Sequence, residues 1–246
     1  MAFKGKIMLL SHESGGRIDE NETIMDHIHE GPVSSRLIRA AKYGTPVLKI
    51  SDGISESPKV MLTAGIHGNE FPPQIAALRL VDEIGDLHVN GTVYIIPFAV
   101  PHATMKNSRK FKGIDMNRTA SKGGSISNNI LKATKTFKVD SVADFHATKP
   151  RSNPGVESVF CSKEPCSESL TIAKYITDAM SSKLLSFDHA ATLYSGALED
   201  ECNMQGIPSV TCEVVSENCE VKKGSPEKSY LQMLSYLRYF DIISSE

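Results

Sequence analysis

The chain has 246 residues, 40% hydrophobic and 23% charged, a composition that suits one ordinary globular domain and excludes disorder as its main theme. The formal net charge of −2 gives no basic field of the kind that nucleic-acid or anionic-membrane binding needs, so a small solute is the expected partner. Five cysteines form an odd set without CxxC spacing, which argues against a disulfide framework or a structural zinc knuckle and for reduced, mostly buried thiols.

In chain order, the run from Met1 to Leu10 holds two lysines and only four consecutive apolar residues, too short for a signal-peptide core. No stretch approaches the roughly 20 apolar residues of a membrane-spanning helix, so a cytoplasmic protein without a membrane partner is expected. His27 and His29, with Asp26 and Glu30, have the atoms of a metal site, but an exposed polar turn explains them more simply. Lys59 to Ile66 is a nearly continuous apolar run, as expected of a strand covered on both faces. Thr92 to Phe98, Val139 to Phe145 and Pro208 to Val215 read the same way.

Helical patterns lie between these runs. Ala77, Leu80, Val81 and Ile84 share one face of a helix placed after Pro72-Pro73, and Ile172, Ala173, Ile176 and Met180 share another. The last helix is predicted to start at Ser225 as N-cap with Pro226 in its first turn, and Tyr230, Met233, Leu234, Leu237 and Phe240 follow at helical spacing. The polar segment from Ser121 to Asn129 reads as a surface loop. Alternating strands and helices predict a single α/β domain over residues 1–246: an α/β/α sandwich around a mixed, mostly parallel twisted sheet. In such folds ligands gather beyond the carboxyl ends of the strands, where His67, Glu70, His146 and Glu213 all fall.

His67 and Glu70 are three apart in a turn, and Gly68 between them lets the backbone fold closely. Zinc accepts both ligand types and in catalytic sites commonly takes three protein ligands, so His146 at the end of its strand is the third candidate. Asp144, two residues earlier, is a candidate to orient that imidazole. Asn117 and Arg118 make a candidate clamp for a substrate carboxylate, and Arg109 is placed to polarise a carbonyl and stabilise its oxyanion. Glu213 sits in an otherwise apolar strand, where a carboxylate is costly unless it is paired or used. Glu217 and Glu220, beyond the strand, are expected to be solvated.

The ordered set His67-x-x-Glu70, Arg109, Asp115-x-Asn117-Arg118, Asp144-x-His146 and Thr211-x-Glu213 resembles the zinc carboxypeptidase superfamily, which includes the succinylglutamate desuccinylase and aspartoacylase deacylases. The resemblance implies one zinc per chain on His67, Glu70 and His146. It implies a zinc-bound water activated by Glu213, which also delivers a proton to the leaving amine, with Arg109 polarising the amide carbonyl. It assigns the substrate carboxylate to Asn117 and Arg118, and Tyr194 is similar to the tyrosine that closes over substrate in carboxypeptidases.

Within the superfamily, Gly65 to Glu70 and the threonine of His146-Ala147-Thr148 look like the deacylases, whereas one loop and one helix after Glu213 look like the carboxypeptidases. The expectation is therefore a carboxypeptidase acting on a small peptide, with an N-acyl amino acid deacylase as the alternative. Glu199 falls near where carboxypeptidases set specificity, which implies a basic leaving residue. A binding module that keeps zinc without chemistry is disfavoured, because the ligands, the arginines and Glu213 are all present.

Overall fold

The structure, a computed structural model, describes residues 5–53 and 58–244. Among them, β1 (Gly5–Leu9), β2 (Pro46–Ser51), β3 (Lys59–Ala64), β4 (Thr92–Ile96), β5 (Ser141–Thr148), β6 (Ser158–Glu164), β7 (Lys183–His189) and β8 (Ser209–Val215) form one sheet in the order β1-β2-β4-β3-β5-β8-β6-β7. The central strands β4, β3, β5 and β8 run parallel, while β2 joins β4 and β6 joins β8 antiparallel, so the sheet is mixed as expected. The N-terminal run proves to be edge strand β1 from Gly5 onward, its first four residues lying outside those described.

The helices are α1 (Glu22–Met25), α2 (Ser34–Ala41), α3 (Phe71–Glu83), α4 (Pro101–Met105), α5 (Ile126–Phe137), α6 (Glu168–Met180), α7 (Leu198–Met204) and α8 (Ser225–Tyr239). Residues of α2, α3, α6 and α8 share one core cluster with one face of the sheet, and residues of α4, α5 and α7 share a second cluster on the opposite face. Helices thus cover both faces, which is why the central strands carry almost uninterrupted apolar runs.

Several boundaries differ from expectation for local reasons. β3 stops at Ala64 because Gly65 turns with a positive φ of 75°, and β4 stops at Ile96 before Pro97, which has no N–H for the ladder. β5 runs on to Thr148, so His146 lies inside the strand and does not close it. α3 starts at Phe71 and takes Pro72 and Pro73 into its first turn, where the missing N–H groups have no intrahelical partner to lose. Gly224, not Ser225, is the N-cap of α8, and the Ser225 hydroxyl donates backward to the Lys222 carbonyl at 2.6 Å.

The loop expected from Ser121 to Asn129 is a correction of a larger kind. Ser125 caps α5, its Oγ accepting the Asn128 N–H at 3.0 Å, and Ile126 is already buried. Polar residues between Ile126, Ile130 and Ala133 hid the helical period.

Candidate active site

The site grows from the register of two strands. His146 on β5 pairs directly with Glu213 on β8, and Asp144 pairs with Thr211 two positions earlier and with Thr63 on β3. Side chains two residues apart share a face, so these residues all project from the face of the sheet that α5 and α7 cover. His67 enters from the turn after β3 and Glu70 from the N-cap position of α3. That turn needs its glycine: a Cβ on Gly68 would lie 2.0 Å from the Ala103 carbonyl carbon.

His67 Nδ1 and His146 Nδ1 each stand 2.9 Å from one oxygen of the Glu70 carboxylate, and the Ala147 N–H donates to that carboxylate at 3.1 Å. The three side chains are buried, with their ligand atoms all within 4.8 Å of one another. Each imidazole is held from behind by a second carboxylate: His146 Nε2 meets Asp144 at 2.8 Å, and His67 Nε2 meets Asp115 at 3.0 Å. Asp144 is itself fixed by the Thr63 hydroxyl, which donates to it at 2.5 Å. Carboxylate-backed imidazoles are the usual setting of metal-binding histidines, because the second bond fixes tautomer and ring plane.

Electrostatics supply the test of whether these residues suit a metal ion. Burial opposes charge on Glu70, yet His67 and His146 outweigh it and hold its carboxyl well below the usual range. Burial likewise opposes charge on His146, but Asp144 and Glu70 outweigh it and raise that imidazole well above its ordinary value. The cluster therefore draws positive charge to itself. With neutral imidazoles, Glu70, Asp144 and Asp115 stand against the single guanidinium of Arg109, an excess that one divalent cation offsets. Two nitrogens and a carboxylate with one side open are a donor set that zinc accepts, so the residues fit the metal.

The eight residues expected from the sequence to hold metal, act on the substrate or bind its carboxylate line one cleft of about 310 Å³: His67, Glu70, Arg109, Asn117, Arg118, His146, Tyr194 and Glu213. Arg109 donates to Glu70 at 2.8 Å and lies 3.6 Å from Asp115. Asn117 Oδ1 accepts the Leu198 N–H at 3.1 Å, which leaves its Nδ2 without a partner among the described residues. Arg118 stacks over the Tyr194 ring, 5.3 Å from its centre, and Tyr194 packs against Phe160 and Phe187. Gly196, at a φ of 82°, lets this segment lie on the Arg118 backbone, where a Cβ would come within 2.6 Å. Burial, opposed by His146 and reinforced by Glu70, pushes the Glu213 carboxyl up to about 8, and its Oε2 is enclosed without a partner.

Sequence reasoning assigned no task to Asp115 or Thr63, and did not see the cleft wall formed by Thr148, Lys149, Ser152, Asn153 and Asn218. Asp115 stands in the Asp-x-Asn-Arg motif, but nothing in that motif points to His67; Thr63 leaves no signal in an apolar run. His27 and His29 lie in an exposed turn, and the His67, Glu70 and His146 group is the metal-capable cluster among the described residues. Glu217 and Glu220 are exposed as expected. No described helix is long and apolar enough to cross a membrane.

Solved structures share the fold at low identity. An aspartoacylase family protein from Mesorhizobium loti is 22% identical, with a TM-score of 0.63 over 82% of this chain and 63% of that one. A metallo-carboxypeptidase from Burkholderia cenocepacia is 13% identical, with a TM-score of 0.63 over 97% of this chain and 65% of that one. A protein from Shewanella denitrificans whose metallopeptidase assignment is provisional is 12% identical, with a TM-score of 0.67 over 98% of both chains. This chain spans less than two thirds of the Mesorhizobium loti protein. No curated protein matches. Residues 56–216 match the succinylglutamate desuccinylase/aspartoacylase catalytic domain, and the chain therefore belongs to that family, within the zinc carboxypeptidase-like superfamily.

Proposed function

We propose that this protein is a zinc-dependent amide hydrolase that releases an amino acid bearing a free carboxylate. The observation that carries the reading is that the His67, Glu70 and His146 cluster, Glu213, Arg109 and the Asn117–Arg118 pair line one cleft. Zinc held by the three ligands would polarise the scissile carbonyl and make water at the site more acidic. The chain's own residues do the rest. Glu213 accepts a proton from the attacking water at its carboxylate and returns it to the amine nitrogen as the C–N bond breaks. Arg109, tied along one edge to Glu70, presents its remaining donors to the oxyanion that forms on the carbonyl. Asn117 Nδ2 and the Arg118 fork bind the carboxylate, while Tyr194 flanks the guanidinium and helps exclude water.

The two narrower readings differ on the acyl side. We take that side to be the wall from the end of β5 at Thr148 to Asn153, in which Lys149 is exposed and Ser152 half-buried, with a peptide continuing past it beyond the scissile bond. We therefore put carboxypeptidase first. The family match favours the second reading, a deacylase of N-acyl amino acids. Five free thiols support a reducing compartment, and we place the enzyme in the cytoplasm on that ground.

The deciding measurement is amino-acid release by zinc-loaded protein from a pool of short peptides and N-acyl amino acids, read by mass spectrometry with Glu213→Gln as blank. Release from peptides establishes the first reading and release only from acyl amino acids the second. No release from either refutes the proposed activity.

A further inference from the structure

One polar side chain of the core is spent on the turn that carries His67 and Glu70. Gln74, in the first turn of α3, is fully enclosed. Its Nε2 donates to the Glu70 carbonyl at 2.8 Å and to the Gly68 carbonyl at 3.3 Å, so one amide grips that turn at two points. Its Oε1 accepts the Thr104 hydroxyl of α4 at 2.8 Å. The partners fix which way the amide faces, since carbonyls only accept and Nε2 must therefore meet them. Pro72 and Pro73, just ahead of it, have no N–H to give those carbonyls. An enclosed amide costs stability unless its polar atoms are satisfied, and here the nitrogen and the oxygen both have partners.

What Gln74 grips is itself held. The Thr104 carbonyl accepts Asn21 Nδ2 at 2.7 Å and the Asn107 N–H at 3.1 Å. Asn21 Nδ2 also reaches Asn107 Oδ1 at 2.7 Å, beside the reversal at a φ of 51° that sends the chain back toward Arg109. Gly65 lets the backbone lie close on the amide: a Cβ there would stand 3.2 Å from the Gln74 amide carbon. Glu70 and Arg109, which meet at 2.8 Å, are thus tied a second time from behind through Gln74, Thr104 and Asn107.

We propose that Gln74 is a positioning residue of the metal centre: through Thr104 it holds the turn bearing His67 and Glu70 against α4, so that both ligands stand in metal-binding geometry in advance. Asp115 and Asp144 each orient one imidazole from behind, whereas Gln74 acts on the main chain of the turn and therefore on two ligands together. A metal site whose supporting shell is loose binds weakly even when every ligand is present. The inference rests on the metal site of the hydrolase reading and not on its reaction or substrate.

The test is the zinc affinity of the full chain by chelator competition, with the visible absorption of the cobalt(II)-loaded protein as a report on ligand geometry. Gln74→Met is close in shape and lacks the amide donors. It is expected to weaken zinc binding ~10-fold or more and to alter the cobalt spectrum, with the far-UV dichroism of the metal-free protein unchanged. Thr104→Val weakens zinc binding as well, Thr104→Ser keeps it within about twofold of wild type, and the double variant Gln74→Met with Thr104→Val loses no more than Gln74→Met alone. Wild-type zinc affinity in Gln74→Met would overturn the proposal, as would losses that add in full or a Thr104→Ser variant as weak as Thr104→Val. If Gln74→Met does not fold, the two Thr104 variants still decide. Turnover separates this from the proposed activity. A zinc-loaded wild type that cleaves neither peptides nor acyl amino acids refutes the hydrolase and leaves the Gln74 result standing, whereas cleavage with a zinc affinity indifferent to Gln74 does the reverse. A wild type that takes up no zinc refutes both.

Discussion

Glu213 has an enclosed oxygen, lines the same cleft as the metal-capable cluster and contacts neither histidine through a hydrogen bond, so the role in proton transfer proposed for it can be tested apart from metal binding. Glu213→Gln is expected to retain zinc by elemental analysis while turnover falls by roughly 100-fold or more. Near-wild-type turnover would remove it from the mechanism. Arg118→Ala is expected to raise KM for substrates with a free carboxylate and to leave carboxylate-blocked analogues unaffected; equal effects on both would exclude the clamp. Asp144→Asn removes the charge behind His146 and should weaken zinc binding by about 10- to 100-fold in a chelator competition. That His67, Glu70, His146 and Glu213 come together was legible in the sequence because their order and spacing are carried by short local motifs. Asp115 as the support of His67 was not, since the two are 48 positions apart and meet only when the loop after α4 folds back.

At the scale of elements, the strands read correctly were those covered on both faces, whose apolar runs need no tertiary context. β1 and β7 lie at the two ends of the sheet and β2 next to β1, and the edge strands mix exposed and partly buried residues, so neither periodicity nor a run identified them. α5 was hidden by its own solubility, yet its N-cap is testable. Ser125→Ala removes the hydroxyl that accepts the Asn128 N–H and should cost about 1 kcal/mol in denaturant unfolding, with no change in zinc affinity. No loss would show that the cap is redundant. The turn between β3 and α3 is less forgiving, because Gly68 abuts the backbone of Ala103 and Thr104, which no rotamer change can relieve.

The molecule as a whole puts its chemistry at one end of a sheet whose two faces are both covered, and that architecture followed from alternating patterns alone. The depth and lining of the cleft did not, because they depend on loops whose course is set by contacts distant in sequence. A metal ion that binds only the folded state stabilises it by mass action, about 2.7 kcal/mol when its free concentration is 100 times its dissociation constant. For a chain of this length that corresponds to a fall of about 5–10 °C in Tm on chelation, restored by added zinc. An unchanged Tm would argue that the cluster holds no ion.

The pairing of His146 with Glu213 across β5 and β8 separates what can vary in this protein from what cannot. Ligand and base keep their spacing through a ladder of main-chain hydrogen bonds, so no change of loop length can move one relative to the other. A one-residue deletion early in β8 would instead bring Val214 into the slot of Glu213 and leave the cleft inert, however intact the fold. Much of the remaining cleft wall, including Lys149, Ser152, Asn153 and Asn218, stands on loops instead. In the proposed mechanism the geometry of the reaction is thus set by register, and the shape of the cleft around it by the connections between elements.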